Sequence, residues 1–226
     1  NLANCYFHGQ GVEQNYVEAS KLYKRASIWG ISEATNNLGI CYEKGLGVGR
    51  NRVKAAQCYR KAAKQGFAPA QYNLAQCYKN GEGVPVDYHE AVRWYSKAAK
   101  QDFVDAQVNL GWCYDNGVGV AENHVKAAKW YRKAAQKGDA LALRIFEFTG
   151  KVLGDAFCNF IAFSAPEAII LFGGLANAGE LLLSPIRTRM NEKVVSFWKN
   201  KVEILQSSLS GADAAVLGAS ALGWKD

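Results

Sequence analysis

The sequence predicts a mainly α-helical protein. An α-solenoid of about four helical hairpins occupies residues 1–138, and a small α/β remnant with two parallel strands follows over 139–226. Three observations predict this. A motif returns every 36 residues, the apolar residues between its copies follow a helical period, and both regularities stop after Gly138.

The motif is Asn-Leu-x-x-Cys-Tyr. It stands at 1–6 and returns as Asn37–Tyr42, Asn73–Tyr78 and Asn109–Tyr114, each time followed by Gly-x-Gly-Val led by Gly9, Gly45, Gly81 or Gly117. In the first helix of a unit, Ala34, Leu38, Cys41 and Tyr42 form one stripe at i, i+4, i+7 and i+8. The Gly-x-Gly supplies the positive φ that ends this helix and turns the chain. Asn15, Asn51, Asp87 and Asn123 then stand where the second helix needs an N-cap. Asn15 with Glu18, and Asp87 with Glu90, have capping-box spacing. The second helix carries Ala55, Cys58, Tyr59 and Ala62, with counterparts Ala91, Trp94, Tyr95, Ala98 and Ala127, Trp130, Tyr131, Ala134. Its alanines permit close helix approach, and its aromatic rings fill the space between layers. A single hairpin cannot bury such a stripe, so the units must stack.

These residues resemble the Sel-like repeat (SLR), a relative of the tetratricopeptide repeat, over residues 1 to about 138. The stretch from Ala70 to Gln101 follows that family's pattern almost letter for letter. The resemblance implies an α-solenoid that scaffolds protein complexes by binding a protein or peptide on its concave face. On the first helix, the positions left over by the buried stripe are Asn37, Ile40 and Lys44, then Asn73, Gln76 and Asn80, then Asn109, Trp112 and Asn116. These are the candidate partner-binding residues. The asparagine amides could clamp a peptide backbone or bond to the preceding helix, and an exposed Trp112 would serve as an anchor.

After Gly138, Ala142 and Phe146 keep the repeat phase, but no Gly-x-Gly turn follows. A helix is expected from Asp139 to about Phe163, covering the apolar end of the last repeat. A strand is expected at Glu167–Phe172, a turn at Gly173-Gly174, a helix from about Ala176 to Trp198, a second strand at Val202–Gln206 and a last helix at Ala212–Leu222. Strands separated by a helix imply a parallel pair with a crossover.

This stretch resembles the C-terminal end of the ROK family, the sugar kinases and repressors, and specifically its glucokinase-like members. The carriers are Phe146–Gly150, Ser164–Gly174 and Asp213–Ser220. The resemblance implies that Gly173 and Gly174 are vestiges of a turn that approaches the adenosine of ATP. The family's phosphate loop, its Asn-Asp sugar and base motif and its zinc segment are absent, so no catalytic residue is assigned and no cofactor is expected. The alternative is that the chain is a partial or fused form of a glucokinase-like sugar kinase, and only then is ATP a cofactor. The whole reads as a chimaera, and two parallel strands with free edges could associate with another copy.

Composition narrows the function. Apolar residues make up 49% of the chain, enough for a core, yet no apolar run reaches the ~18 residues that cross a bilayer, and no membrane partner is expected. Residues 1–138 hold 19 Lys and Arg against 11 Asp and Glu, whereas 139–226 hold 8 against 9, so any acidic partner meets the first segment. Lys24, Arg25, Arg60, Lys61, Lys64, Lys97, Lys100, Arg132 and Lys133 all fall on the second helix, without aromatic residues interleaved on that face. This reads as a solvated basic face, so nucleic acid is not expected.

Cys5, Cys41, Cys77 and Cys113 hold one equivalent position, expected to be buried, and Cys58 joins them in the core. Stacked helices lie ~8–10 Å apart, too far for a disulfide between successive copies. With no Cys-x-x-Cys, and with His8, His89 and His124 scattered, no metal site is expected. Reduced thiols favour a cytoplasmic setting. The chain opens at Asn1 inside a copy of the motif, which reads as part of a longer or processed chain and leaves export open.

Overall fold

The computed structural model describes residues 2–164, 168–171, 178–193 and 202–206. The chain divides into two compact units, 1–127 and 128–226.

The first unit is a row of paired helices: α1 (Leu2–His8), α2 (Tyr16–Ile28), α3 (Ser32–Lys44), α4 (Arg52–Lys64), α5 (Ala68–Asn80), α6 (Tyr88–Ala99) and α7 (Val104–Asn116). The first turn of α8 (His124–Gln136) ends it. From α1 to α7, each helix packs chiefly on its neighbours in the chain. Such nearest-neighbour packing is what makes a solenoid.

One set of hydrogen bonds builds every hairpin. The first helix ends at Gly45, Gly81 or Gly117 in the left-handed conformation, with φ of 75°, 72° and 65°. The cysteine carbonyl one turn earlier accepts from the residue after that glycine, as in Leu46 N to Cys41 O at 2.9 Å and Glu82 N to Cys77 O at 2.9 Å. The second helix is N-capped as expected. Backbone N–H groups of Glu18, Lys54, Glu90 and Lys126 donate to Oδ1 of Asn15, Asn51, Asp87 and Asn123 at 3.1, 2.9, 3.0 and 2.8 Å.

The other half of the capping box is not made. The N–H groups of Asn15, Asn51, Asp87 and Asn123 donate instead to the carbonyls of Tyr6, Tyr42, Tyr78 and Tyr114, closing the hairpin. Glu18 and Glu90 are thereby released to pair with Lys21 and Arg93.

The core lies between the two layers of helices. Tyr23, Tyr59 and Tyr95 are fully buried, together with Ala19, Ala55, Ala62, Ala91, Ala98, Leu74 and Leu110. The Tyr59 ring lies so close over Gly39 that a Cβ there would sit 2.6 Å from it. Cys41, Cys77 and Cys113 are buried, but Cys5 and Cys58 are only half-buried, which corrects the expectation of five core thiols. Cys5 is on α1, which packs chiefly on α2 alone. Cys58 sits at the margin of a buried cluster formed by Ala19, Tyr23, Ala34 and Leu38.

Junctions between hairpins repeat as well. A Cβ on Gly47, Gly83 or Gly119 would lie 2.0, 2.1 or 2.2 Å from the carbonyl oxygen of Tyr16, Arg52 or Tyr88. From the second loop to the fourth, the second glycine of the Gly-x-Gly thus lets the loop rest on the N-terminus of the preceding hairpin's second helix. Around this shared contact the side chains differ: Arg52 reaches Glu82 at 3.6 Å. Further inter-hairpin bonds run from Asn73 Nδ2 to Asn36 Oδ1 (3.0 Å), Lys61 Nζ to Ser27 O (2.7 Å) and Gln65 Nε2 to Gly30 O (3.1 Å).

The second unit holds the rest of α8, then α9 (Ala140–Ser164), β1 (Ala168–Leu171), α10 (Glu180–Lys193) and β2 (Glu203–Gln206). Asp139 caps α9, accepting from Ala142 N at 2.8 Å. β1 and β2 pair in parallel, with Ala168 opposite Glu203 and Leu171 opposite Gln206, matching the expected crossover. α9 crosses α10 at Gly150 and Gly154, where Cβ atoms would meet Pro185 Cβ at 2.5 Å and Arg189 Cβ at 2.7 Å. Asp155 locks the crossing: Arg189 Nε and Nη2 donate to it at 2.8 and 3.3 Å, and Lys193 Nζ lies 3.0 Å away. These cations hold the Asp155 carboxyl below its usual range. The expected turn at Gly173-Gly174 and the last helix at Ala212–Leu222 lie outside the described residues. Among the described residues no helix is long and apolar enough to cross a membrane.

Candidate functional site

The face of the first helices is the expected recognition surface, and a recess at the loop end of the hairpins includes two of its residues. It lies between the third and fourth hairpins, has a volume of about 470 Å³, and is lined by Lys79, Asn80, Tyr88, Trp112 and Gly117–Gly119. Asn80 ends α5 and Trp112 sits on α7, so two of the nine expected residues meet here. The Lys79 ammonium stands 4.5 Å from the centre of the Trp112 ring. Trp112 remains 39% exposed and Tyr88 46% exposed. Gly119, which closely approaches the Tyr88 carbonyl, lines the same recess.

The other expected residues are placed differently. Asn73 donates to Asn36 of the preceding hairpin, and Asn37 accepts from Asn36 at 3.3 Å. Gln76 donates to the Tyr72 hydroxyl at 2.7 Å. Asn109 and Asn116 turn back on their own helix, donating to Asp105 O at 2.8 Å and Trp112 O at 2.9 Å. Ile40 is half-buried and Lys44 exposed. Most of the amides are therefore already engaged, and Trp112 with Asn80 form the part of the set that faces an open recess.

Lys79 and Tyr88 escaped the sequence reading, although Lys79 carried a signal. It takes the register position of Glu43, with the sign of the charge reversed. In the second hairpin, Tyr59 donates its hydroxyl proton to Glu43. In the first, Tyr23 donates to Asn4 Oδ1 at 2.6 Å. In the third, Gln76 has turned to Tyr72 and Lys79 lies over Trp112, so among the described residues the buried Tyr95 hydroxyl has no hydrogen-bond partner. An unpartnered buried hydroxyl is destabilising, and here it accompanies a lysine directed to the surface recess.

Cations and aromatic rings meet elsewhere on this unit. Lys54 stands over Tyr42, Arg60 over Tyr78, Lys97 over Trp94 and Lys126 over Tyr114, at 5.5, 5.9, 4.2 and 5.3 Å. The expectation that basic and aromatic residues occupy separate faces is therefore corrected: long aliphatic stems lie down on neighbouring rings. Beside the fourth loop, His124 holds Asp115 through Nδ1 and Glu122 through Nε2, each at 2.9 Å. The bond to Asp115, then the charge of Glu122, raises the imidazole pKa.

The buried thiols do not suit nucleophilic work. Burial pushes Cys41 and Cys113 up to about 11 and Cys77 to about 12, so the thiolate is scarce at neutral pH.

The Sel1 repeat pattern matches residues 1–27, 32–67, 68–103 and 104–139. The chain belongs to the Sel1 repeat family. Among solved structures, a Sel1 repeat protein from Oxalobacter formigenes is 35% identical with a TM-score of 0.59, over 70% of this chain and 60% of that one. A protective antigen with an SLR fold, present in uropathogenic Escherichia coli strains, is 31% identical with a TM-score of 0.63, over 84% of this chain and 39% of that one. Part of the sequence has other relatives. The glucokinase of Thermotoga maritima is 33% identical over 87 residues, 38% of this chain and 27% of that protein. The DNA-binding transcriptional dual regulator NagC of Escherichia coli K12 is 31% identical over 86 residues, 38% of this chain and 21% of that protein. This Sel1 repeat chain thus spans about a quarter of the length of the curated relatives it matches.

Proposed function

We propose that this chain is a non-enzymatic interaction scaffold that holds an extended protein segment against the face of its first helices, with the recess at Trp112 as the anchor. Membership of the Sel1 repeat family supports the general role of protein–protein interaction. The observation that carries the finer reading is the recess itself: an exposed tryptophan, a lysine held over its ring, a tyrosine and a free asparagine end on one open cavity. Aromatic anchors of this kind dominate the energetics of interfaces, and Lys79 favours an acidic residue in the bound segment. The scaffold comprises the repeats over 1–138, with 139–226 as a separate segment. Six free thiols support a cytoplasmic setting.

Peptide display against the full chain, followed by calorimetry, tests this reading. Selected peptides should be acidic and should lose at least about tenfold in affinity on Trp112→Ala and severalfold on Lys79→Ala. Enrichment of no peptide, or of peptides indifferent to Trp112→Ala, overturns it.

A second reading rests on the likeness to the glucokinase. Under it, 139–226 descends from a ROK sugar kinase and the chain is a partial or fused form of one. The parallel pair β1–β2 and its crossover helix α10 agree with that descent. Turnover of glucose and ATP by the purified chain above a buffer blank would establish it. Self-association through β1 and β2 belongs to the same proposal, and a concentration-dependent sedimentation coefficient would support it.

A further inference from the structure

We propose that the turn between the first and second hairpins is a docking tip for an anionic lipid bilayer, in which Ile28 and Trp29 enter the headgroup region and a collar of lysines and arginines meets the lipid phosphates. This surface is distinct from the recess at Trp112, and its fate is independent of the scaffold reading.

The first ground is a departure from the repeat. The Sel1 pattern matches 1–27 and then 32–67, leaving out Ile28-Trp29-Gly30-Ile31. The same turn one hairpin later is Lys64-Gln65-Gly66-Phe67, and the next is Lys100-Gln101-Asp102-Phe103. Lysine and glutamine suit these solvent-facing positions, so the solenoid does not need apolar residues there. The first turn nevertheless has Ile28 at 75% and Trp29 at 85% exposure, with Ile31 at 50% beside them. Two large apolar side chains this exposed at the end of a helix are little packed among the described residues. They are an unexplained cost in water.

Charge is the second ground. Lys24 precedes Ile28, the last residue of α2, by four residues, and Arg25 precedes the C-cap Trp29 by four, so each cation sits about 6 Å back along the helix behind an apolar residue. Lys61 reaches across from α4 to donate to the Ser27 carbonyl, and Gln65 does the same to Gly30, which brings the cationic end of α4 alongside. Lys24, Arg25, Lys61 and Lys64 are all exposed, and among the described residues no carboxylate pairs with Lys24, Arg25 or Lys64. The carboxylate nearest in sequence to the Ile28–Ile31 turn, Glu33, lies within reach of the Asn4 amide at 3.4 Å.

An apolar tip with a cationic collar one helical turn behind it matches the layering of an anionic bilayer, where the acyl boundary lies beneath a plane of phosphates. Tryptophan is at home at that boundary. Isoleucine has no π-face for a nucleic-acid base, which favours lipid over a single strand. The absence of a membrane-crossing helix among the described residues bears on spanning and leaves surface contact open.

The test uses the full chain and flotation with vesicles of phosphatidylcholine alone or with about a third phosphatidylserine. Wild type should float with the anionic vesicles and stay behind with the neutral ones. The double substitution Ile28→Lys with Trp29→Gln installs the residues of the next turn, so its melting temperature should match wild type. It adds a positive charge, yet it should weaken flotation by at least about tenfold, because the apolar tip is gone. Lys24→Glu with Arg25→Glu should abolish flotation. No flotation of wild type overturns the proposal. So does equal or better flotation of the Ile28→Lys, Trp29→Gln variant, which would reduce the effect to bulk charge. If vesicles fail but labelled RNA binds wild type at low salt and not that variant, the occupant is nucleic acid and the lipid proposal falls.

Discussion

The backbone of Arg52 occupies the space where a side chain at Gly83 would begin: a Cβ there would stand 2.1 Å from the Arg52 carbonyl oxygen. The same contact joins Gly47 to Tyr16 and Gly119 to Tyr88, so one glycine per repeat is a bearing surface between hairpins.

Gly11 provides the control. It is the counterpart of Gly83 in the first hairpin, with φ of 74° against 75°, but nothing lies within 4 Å of its Cβ position. Gly11→Ala should cost about 1 kcal/mol through the left-handed conformation alone. Gly83→Ala meets the same penalty plus an overpacked contact, a further 1–3 kcal/mol or so. Urea denaturation of both variants measures the difference, and equal costs would deny the glycine its contact role.

Tyr59 and Tyr95 should respond oppositely to loss of their hydroxyls. Tyr59→Phe strands the Glu43 carboxylate and should cost about 1–3 kcal/mol. Tyr95→Phe removes a buried hydroxyl without a hydrogen-bond partner, so stability should hold or rise. A Tyr95→Phe loss as large as that of Tyr59→Phe would show that an unseen partner, such as a trapped water, serves this hydroxyl.

The thiols make stability fall at alkaline pH. Burial raises Cys41, Cys113 and Cys77 from 9.0 to about 11, 11 and 12. Unfolded chains lose these protons from pH 9 upward while the native chain keeps them, so the native state binds more protons. Their contribution is fully present below pH 9 and is lost as pH rises toward 11–12. Tyr23, raised by burial from 10.0 to about 12, adds to the same slope above pH 10. Urea midpoints across this range should decline, and Cys77→Ala should decline less steeply than wild type.

Gly150→Leu should destabilise the second unit and leave the first intact. Its side chain would drive into Pro185 and the Leu182 carbonyl, opening the α9–α10 crossing at a cost of about 1–3 kcal/mol or more. Hydrogen exchange should quicken in α9 and α10 and stay unchanged in α3–α6. Equal quickening throughout would mean that the units melt as one.

Legibility in the sequence followed the range of the interaction. Asn15, Asn51, Asp87 and Asn123 were readable as N-caps because a cap bonds three residues away. Gly45, Gly81 and Gly117 were readable as helix ends for the same reason. The second glycine of each loop was assigned only a turn, since the carbonyl it meets lies 31 residues earlier, as Arg52 does from Gly83. The exposure of Trp112 was legible because its register position lies off the buried stripe of α7. Lys79 was passed over because its position looks structural in the second hairpin, where Glu43 serves Tyr59. The exchange of Glu43 for Lys79 beneath an unchanged tyrosine was the available clue. Among the described residues of 139–226, α9, β1, α10 and β2 were legible from their apolar runs, but the Gly150–Pro185 crossing joins segments with no shared pattern.

The junctions share a glycine but not their side chains. Between the second and third hairpins, an arginine faces a glutamate; between the third and fourth, Tyr88 and Val118 line an open recess. A hairpin moved to another place in the row would meet a neighbour of the wrong charge or size. Shuffling, duplication or deletion of single hairpins is thereby discouraged, and the order of the modules becomes a heritable property of the array in its own right.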